Sequence, residues 1–300
     1  MIKYALFGAG KIGERAFCEY ENYVECFIDN YKFGTTYLGK RVYSLDEFLM
    51  RNDCKDIEIL ICTTSFGDIV HTLVSRGIYY SLYHGAYRND TAPLSEDIAH
   101  GKWAGKLKEL CDFEGKEILE VGSRIVTGAN FRPVFEKAHY TGFDLYEGPN
   151  VDVVGDAHQL SQYFDKKFDL IFSSAVFEHL AMPWVVADEM IKLCKPGGYI
   201  FVETHYSYIN HERPWHFFQF SEQALKVLFS ENRGIRCIEA GVSNPLIAQF
   251  IGESSEYLRG TYVGNMFCHS EFLGQKVEEK DVLGWSFDNS FGMYPKANRV

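Results

Sequence analysis

The fold of this 300-residue chain is decided by one stretch, Glu117-Ile-Leu-Glu-Val-Gly-Ser-Arg-Ile-Val-Thr-Gly128. It is typical of a buried strand ending in an acid and a glycine, which lets the next turn approach a ligand closely. Further along, Asp144 lies near the end of a second short apolar run, residues 140–145. A carboxylate at the tip of the adjacent strand can accept both hydroxyl protons of a ribose. The spacing therefore predicts a nucleoside site.

The turn after Gly122 lacks the further glycines of a dinucleotide site. Ser123 and Arg124 occupy positions where a pyrophosphate would require small residues. A ligand without phosphates tolerates such a turn, and we expect that ligand to be S-adenosylmethionine.

Composition narrows the class of protein. The formal net charge is −11, and no run of Lys or Arg lines up on one predicted element, so we expect no nucleic-acid partner. No apolar stretch reaches the ~18 residues that span a bilayer, and the N-terminus has no signal-peptide pattern, which predicts a cytoplasmic protein. The eight cysteines include no C-x-x-C pair, so we expect reduced core thiols and no structural zinc.

The order of predicted elements indicates an α/β fold with two doubly wound, Rossmann-like domains. We expect a small domain over residues 1–85, a linker over 86–105 and a larger domain with a C-terminal arm over 106–300. In the larger domain the predicted strands are 117–121, 140–145, 151–154, 168–173, 199–203 and 235–239, with helices over 184–193 and from the Ser221 cap through 229. After about residue 251 the sequence predicts no regular element.

The first block contains a complete G-x-G-x-x-G motif, Gly8-Ala-Gly-Lys-Ile-Gly13, between a strand over residues 4–7 and a helix ending near Tyr20. A second strand, 24–28, leads into Asp29. Further elements are a short helix begun by the capping box of Ser44 and Glu47, a strand over 57–62 and a helix over 68–76.

Five motifs of the second block follow strand ends in a fixed order: Leu119-Glu-Val-Gly-Ser123, Phe143-Asp144, Gly155-Asp-Ala157, the run from Phe168 to Leu180, and Leu193-Cys-Lys-Pro-Gly-Gly198. Together they resemble class I S-adenosylmethionine-dependent methyltransferases, over about residues 115–205. The Gly-Ser-Arg form of the first turn resembles methyltransferases of polysaccharide clusters.

The resemblance implies a role for each strand end. Glu120 and Gly122, followed by Ser123, would shape the turn under the methionine part of the cofactor. Asp144 would hold the ribose hydroxyls, and Asp156 with the amide of Ala157 would contact adenine. Ser173, at the end of the fourth strand, is the remaining expected cofactor residue.

The first block, over residues 1–83, resembles the small N-terminal Rossmann-like domain of bacterial sugar-modifying enzymes, where it can bind nucleotide-sugar. The resemblance rests on Gly8–Gly13, Phe27-Ile-Asp-Asn30, Leu38-Gly-Lys-Arg-Val42 and Ile59-Leu-Ile-Cys62. It implies a substrate site at Gly8, Gly10, Lys11, Ile12 and Asp29, with the backbone amides after Gly10 facing a phosphate. The alternative is a scaffold or homodimerisation domain with an empty crevice.

Two histidines that follow strand ends are candidate catalytic bases for an oxygen acceptor. His205 follows the fifth strand and is the first choice, because imidazole can take a hydroxyl proton at cellular pH. His179 follows the fourth strand, and its alternative role is to help form the wall of the cofactor pocket.

Residues 210–221, Asn-His-Glu-Arg-Pro-Trp-His-Phe-Phe-Gln-Phe-Ser, combine ionisable and aromatic groups and are typical of a substrate lid. We expect His211 and Arg213 to contact the substrate and the aromatic side chains to be mostly buried. The gaps between His205, His211 and His216 match no zinc spacing, so no metal site is predicted.

The sequence thus predicts a methyltransferase that uses S-adenosylmethionine and a sugar or nucleotide-sugar acceptor in surface-polysaccharide synthesis. Two alternatives stay open: an NAD-dependent oxidoreductase that uses the first glycine motif, and a non-catalytic nucleotide-sugar-binding protein. Whether oxygen, nitrogen or carbon receives the methyl group is not specified. The aromatic tail from Gly284 is expected to pack as an irregular arm.

Overall fold

The computed structural model describes residues 3–63, 66–83, 92–255, 262–280 and 284–286. The chain divides into two compact units. The first unit comprises residues 1–91 and 247–265, and the second comprises 92–246 and 266–300. Residues 86–91 of the expected linker, 86–105, lie outside the described residues, as do residues 287–300 of the expected C-terminal arm.

The first unit is a six-stranded sheet with helices. Its elements are β1 (Lys3–Phe7), α1 (Lys11–Tyr20), β2 (Val24–Ile28), β3 (Thr36–Tyr37), β4 (Lys40–Tyr43), α2 (Leu45–Leu49), β5 (Ile57–Ile61), α3 (Gly67–Ser75) and β6 (Tyr80–Leu82). The strand order is β3-β4-β2-β1-β5-β6. All pairs are parallel except the β3–β4 hairpin.

The second unit is built on a seven-stranded sheet. Its elements are α4 (Trp103–Cys111), β7 (Glu117–Val121), β8 (His139–Asp144), β9 (Val153–Val154), β10 (Phe168–Ser174), α5 (Pro183–Leu193), β11 (Cys194–His205) and α6 (Glu222–Leu228). Two long strands, β12 (Ile235–Gln249) and β13 (Tyr262–Lys276), complete the sheet. The order is β12-β13-β11-β10-β7-β8-β9, parallel from β11 to β9, with β13 antiparallel to β11.

Local sequence explains where the helices begin. Both halves of the predicted capping box form at α2: the Ser44 hydroxyl accepts from the Glu47 amide, and the Glu47 carboxylate accepts from the Ser44 amide. Ser221 caps α6 by accepting from the Ala224 amide. The central strand β10 is buried along almost its whole length, which is typical of a parallel strand covered on both faces.

The expected fold class is confirmed, because both sheets are largely parallel and alternate with helices. The strand β13 was not predicted. All eight cysteines are free thiols, and burial raises the pKa of Cys26 to about 11. Among the helices that the structure describes, none is long and apolar enough to cross a membrane.

Candidate active site

The turn after β7 is held tightly against the loop that follows β10. Gly122 has φ +87°, and a Cβ at this position would lie 2.1 Å from Cγ2 of Val176. The amides of Gly122 and Ser123 both donate to the carbonyl of Phe143, at 2.8 and 3.0 Å, which fixes the turn to the end of β8. Position 122 therefore requires glycine.

Asn150 supports the turn, and the sequence analysis did not identify it. Its side-chain amide donates to the Ser123 carbonyl and to the Tyr140 hydroxyl, both at 2.9 Å, and lies 3.4 Å from Glu120 Oε2. Its φ of 73° is in the left-handed region that asparagine tolerates. The turn-forming pair Pro149-Asn150 was the sequence signal for such a residue.

Glu120 is an acid buried at the end of β7, with 4% of its surface exposed. Burial raises its pKa to about 8, although the contact with Asn150 and the charge of Arg132 act in the opposite direction. The group therefore carries a proton at neutral pH, and a cationic ligand placed beside it would favour the ionised form.

Asp144 ends β8, as predicted. One carboxylate oxygen accepts from the Arg124 amide at 3.1 Å and the other from the Tyr146 amide at 3.0 Å. The Arg124 Nε lies 3.5 Å from Oδ1. A carboxylate has about four acceptor sites, so two remain for a ligand such as a ribose diol.

Asp156 begins the 3₁₀ helix Ala157–Tyr163 that follows β9. Its Oδ1 accepts from the amide of His158 at 2.9 Å and contacts His158 Nδ1 at 2.7 Å. Burial alone would raise the pKa of Asp156, but the bonds with His158 outweigh it and lower that pKa. The carboxylate is half exposed and remains ionised at neutral pH.

Two of the expected cofactor residues are turned into the protein. The Ser173 hydroxyl is fully buried and donates to the Val121 carbonyl at 2.9 Å. The Ser123 hydroxyl donates to the Asn150 carbonyl at 3.1 Å. Both hydroxyls brace the turn.

A buried glutamate and histidine meet where β10 and β11 end. Glu178 is completely buried, and its Oε2 accepts from the Thr204 hydroxyl at 2.6 Å. Its Oε1 lies 2.8 Å from Nδ1 of His205. Both atoms lack a hydrogen-bond partner among the described residues. Burial would raise the pKa of Glu178, but the contacts with His205 and Thr204 lower it.

Four more histidines surround this pair: His179, His211, His216 and His269. His179 Nε2 faces His211 Nε2 at 3.1 Å, and the amide of His211 donates to His216 Nδ1 at 3.3 Å. Burial, with the charges of His211 and His179, lowers the pKa of His216. His269 lies beside His205, with ring centroids 5.6 Å apart, and burial lowers its pKa to about 4. The structure thus brings together both candidate bases and His211.

The segment 210–221 exposes part of its aromatic surface. Phe220 is buried, as expected, but Phe217 is 42% and Trp215 60% exposed. The expectation that the aromatics are mostly buried is therefore wrong for Trp215 and Phe217, which pack edge-on against each other rather than in the core. Arg213 is exposed beside them.

The glycine motif of the first unit packs closely. A Cβ on Gly13 would lie 2.0 Å from the Gly8 carbonyl oxygen, whereas one on Gly10 would meet nothing within 4 Å. The expected ligand residue Asp29 accepts from the amides of Ala9, Tyr31 and Lys32 at 2.9 to 3.1 Å. Its carboxylate therefore organises its own loop and holds it to the glycine turn at Ala9. Lys11 is exposed and Ile12 half-buried in the first turn of α1.

Comparison with known proteins supports the assignment of the second unit. Residues 96–240 match the model of a family described as a methyltransferase domain. This match supports the expected enzyme class, an S-adenosylmethionine-dependent methyltransferase, and with it the expected methyl donor.

Individual relatives are more distant. An uncharacterized methyltransferase of Mycolicibacterium gilvum (strain PYR-GCK) is 26% identical over 129 residues, which are 39% of this chain and 47% of that protein. The chain thus matches about half the length of that relative. A putative methyltransferase from Bacillus halodurans C-125 has a TM-score of 0.42 at 17% identity, over 59% of this chain and 99% of that one. The YcgJ protein from Bacillus subtilis also has a TM-score of 0.42, at 16% identity, over 59% and 98%.

Proposed function

We propose that this chain transfers the methyl group of S-adenosylmethionine to a sugar or nucleotide-sugar acceptor in surface-polysaccharide synthesis. The observation that carries the transfer is the row of acids at consecutive strand ends of the second unit: Glu120, Asp144 and Asp156. Such a row favours a ligand with cationic sulfonium and ammonium groups and disfavours a phosphate.

The residues around the turn fit this donor. Gly122 fixes the shape of the turn on which the methionine part would lie, Asp144 has acceptor sites left for the ribose hydroxyls, and Asp156 with the Ala157 amide would hold adenine. When bound, the donor supplies an electrophilic methyl group on a positively charged sulfur. The protein aligns the acceptor with that methyl group, which is the main source of rate in such a transfer.

His205 is the proposed proton acceptor. A carboxylate beside Nδ1 favours the tautomer with hydrogen on Nδ1, which leaves the lone pair on Nε2. His205 would then take the proton that the acceptor hydroxyl loses when its oxygen receives the methyl group. His179 is the weaker candidate, because its Nε2 already faces His211.

Two features support a sugar acceptor. The exposed faces of Trp215 and Phe217 are surfaces on which a sugar ring can stack, and His211 with Arg213 supplies polar groups in the same segment. For the first unit by itself, we propose that the turn at Gly8, Gly10, Lys11 and Ile12 binds a nucleotide-sugar. Asp29 then acts by shaping that turn.

A panel of nucleotide-sugars and the matching free sugars, each incubated with methyl-labelled S-adenosylmethionine and the full chain, tests this function. The expected result is label on at least one nucleotide-sugar and weaker labelling of its free sugar. If S-adenosylhomocysteine binds but no sugar is labelled, the acceptor class is wrong. If S-adenosylhomocysteine does not bind, the methyl transfer itself is wrong.

A further inference from the structure

One cluster of side chains in the second unit has more possible metal-ligand atoms than a general base alone requires. Glu178, His205 and His211 each offer one ligand atom, and the three atoms lie within 4.8 Å of one another. The sequence spacing did not reveal the cluster, because Glu178 comes from the end of a different strand from the two histidines.

The rings of His179 and His211 face each other in an arrangement that a neutral pair cannot hold alone. His179 Nδ1 lies 2.9 Å from the Trp215 carbonyl, and His211 Nδ1 lies 3.0 Å from the Ile209 carbonyl. A carbonyl only accepts, so both Nδ1 atoms carry hydrogen. If both rings are neutral, the lone pairs of the two Nε2 atoms then point at each other across a distance of 3.1 Å. A shared positive charge, a proton or a metal ion, resolves the repulsion.

The distances suit a metal ion. Zinc–nitrogen bonds are about 2.0–2.1 Å, so one ion can contact both Nε2 atoms with an angle of roughly 100° at the metal. The backbone carbonyls on the two Nδ1 atoms are the partners that orient metal-binding imidazoles.

Two further atoms lie where they can complete the set of metal ligands. Glu178 Oε1 and His205 Nδ1 are buried, 2.8 Å apart and without hydrogen-bond partners among the described residues. Thr204 fixes the other oxygen of Glu178, so Oε1 is held in place, 4.0 Å from His179 Nε2. A cation among these atoms would satisfy both.

We propose that Glu178, His205 and His211, with His179 as a fourth ligand, form a binding site for a divalent transition-metal ion of the zinc class. Three imidazoles and one carboxylate make a nitrogen-rich set, which selects zinc, cobalt or nickel over magnesium or calcium.

Metal binding at this site is a function additional to the proposed methyl transfer. It is incompatible with the proton transfer that is assigned to His205. An imidazole that ligates through Nδ1 carries its hydrogen on Nε2, so His205 cannot hold the ion and accept a proton at once. The methyl transfer is therefore assigned to the ion-free chain, and ion binding can be measured without the methyl donor.

Titration of the chelator-treated full chain with Co²⁺, followed by displacement with Zn²⁺, tests the site. We expect about one Co²⁺ per chain, with the visible absorption of a four-coordinate ion, and its loss when Zn²⁺ is added. His211→Ala should weaken binding at least about tenfold, and His179→Gln should do the same. His139→Ala, at an exposed histidine of the same unit, should leave binding unchanged.

Circular dichroism establishes that each variant is folded. A folded wild-type chain that binds no stoichiometric Co²⁺ or Zn²⁺ would overturn the site and leave a proton as the shared charge. Equal affinity of the His211→Ala and His139→Ala variants would also overturn it. Titration of the same chelator-treated sample with S-adenosylhomocysteine separates this failure from a failure of the proposed function.

Discussion

The two glycine turns of this protein differ in how many carboxylate acceptor sites they leave for a ligand. The turn with the less complete glycine motif leaves more. The first unit has the complete motif, Gly8 to Gly13, yet Asp29 beyond it accepts from three amides, one in the glycine turn and two in its own loop. The second unit keeps one critical glycine, Gly122, and Asp144 beyond it accepts from two amides among the described residues. A complete glycine pattern therefore indicates that the backbone packs closely. What the turn can bind is indicated by the carboxylate acceptor sites that remain free at the strand ends.

The largest expected effect is on catalysis in the second unit. His205→Gln should lower methyl-transfer turnover about 10²- to 10⁴-fold, because the variant cannot accept the hydroxyl proton. Affinity for S-adenosylhomocysteine should stay within about twofold, since the change spares the acids at the strand ends. Single-turnover assays on chelator-treated protein, beside a His139→Gln control, measure both. Undiminished turnover would remove His205 from the reaction.

The glycines give the next test of the comparison. Gly13→Ala and Gly122→Ala should each lower the free energy of unfolding by about 1–3 kcal/mol, because each new Cβ meets a neighbouring atom near 2 Å. Only Gly122→Ala should also weaken S-adenosylhomocysteine binding. Denaturant unfolding and calorimetry measure the two effects. Gly105→Ala, in an open position on α4, is the control and should not destabilise the chain. Weaker cofactor binding in Gly13→Ala would break the comparison.

A smaller effect, on the pH dependence of cofactor affinity, is expected from Glu120. Because burial raises its pKa to about 8, its carboxylate forms only as the pH rises through that value. A cofactor ammonium pairs with the ionised form, so affinity should rise by up to about tenfold per pH unit below the pKa and level off above it. Binding should release a proton at pH 7, which calorimetry in buffers of different ionisation enthalpy detects. Glu120→Gln should flatten the profile, and an unchanged profile would exclude Glu120.

The same shift has a consequence for stability without ligand. The pKa of Glu120 in the folded chain lies above its ordinary value of 4.5, so its contribution to stability is full below that value and is lost as the pH rises towards about 8. The free energy of unfolding of the wild type should therefore fall over this range relative to that of Glu120→Gln.

The sequence predicted the features that depend on neighbouring residues. The β7 strand, its acid and glycine, and the Ser44 capping box all have local signals, and the structure has each of them. The strand β13 pairs antiparallel with β11, some seventy residues earlier, and no local pattern encodes that pairing. The meeting of Glu178 with His205 was likewise hidden, because it depends on β10 and β11 being neighbours in the sheet. Combining strand order with strand-end residues would have revealed it.

The central claim is that the second unit, and not the first, holds the methyl donor. Calorimetric titration of the full chain with S-adenosylhomocysteine tests it most directly, using Asp144→Asn and its counterpart Asp29→Asn. We predict about one binding site in the wild type, an affinity about 10- to 100-fold weaker in Asp144→Asn, and an unchanged affinity in folded Asp29→Asn. No binding to the wild type, or weakening by Asp29→Asn alone, would contradict the account.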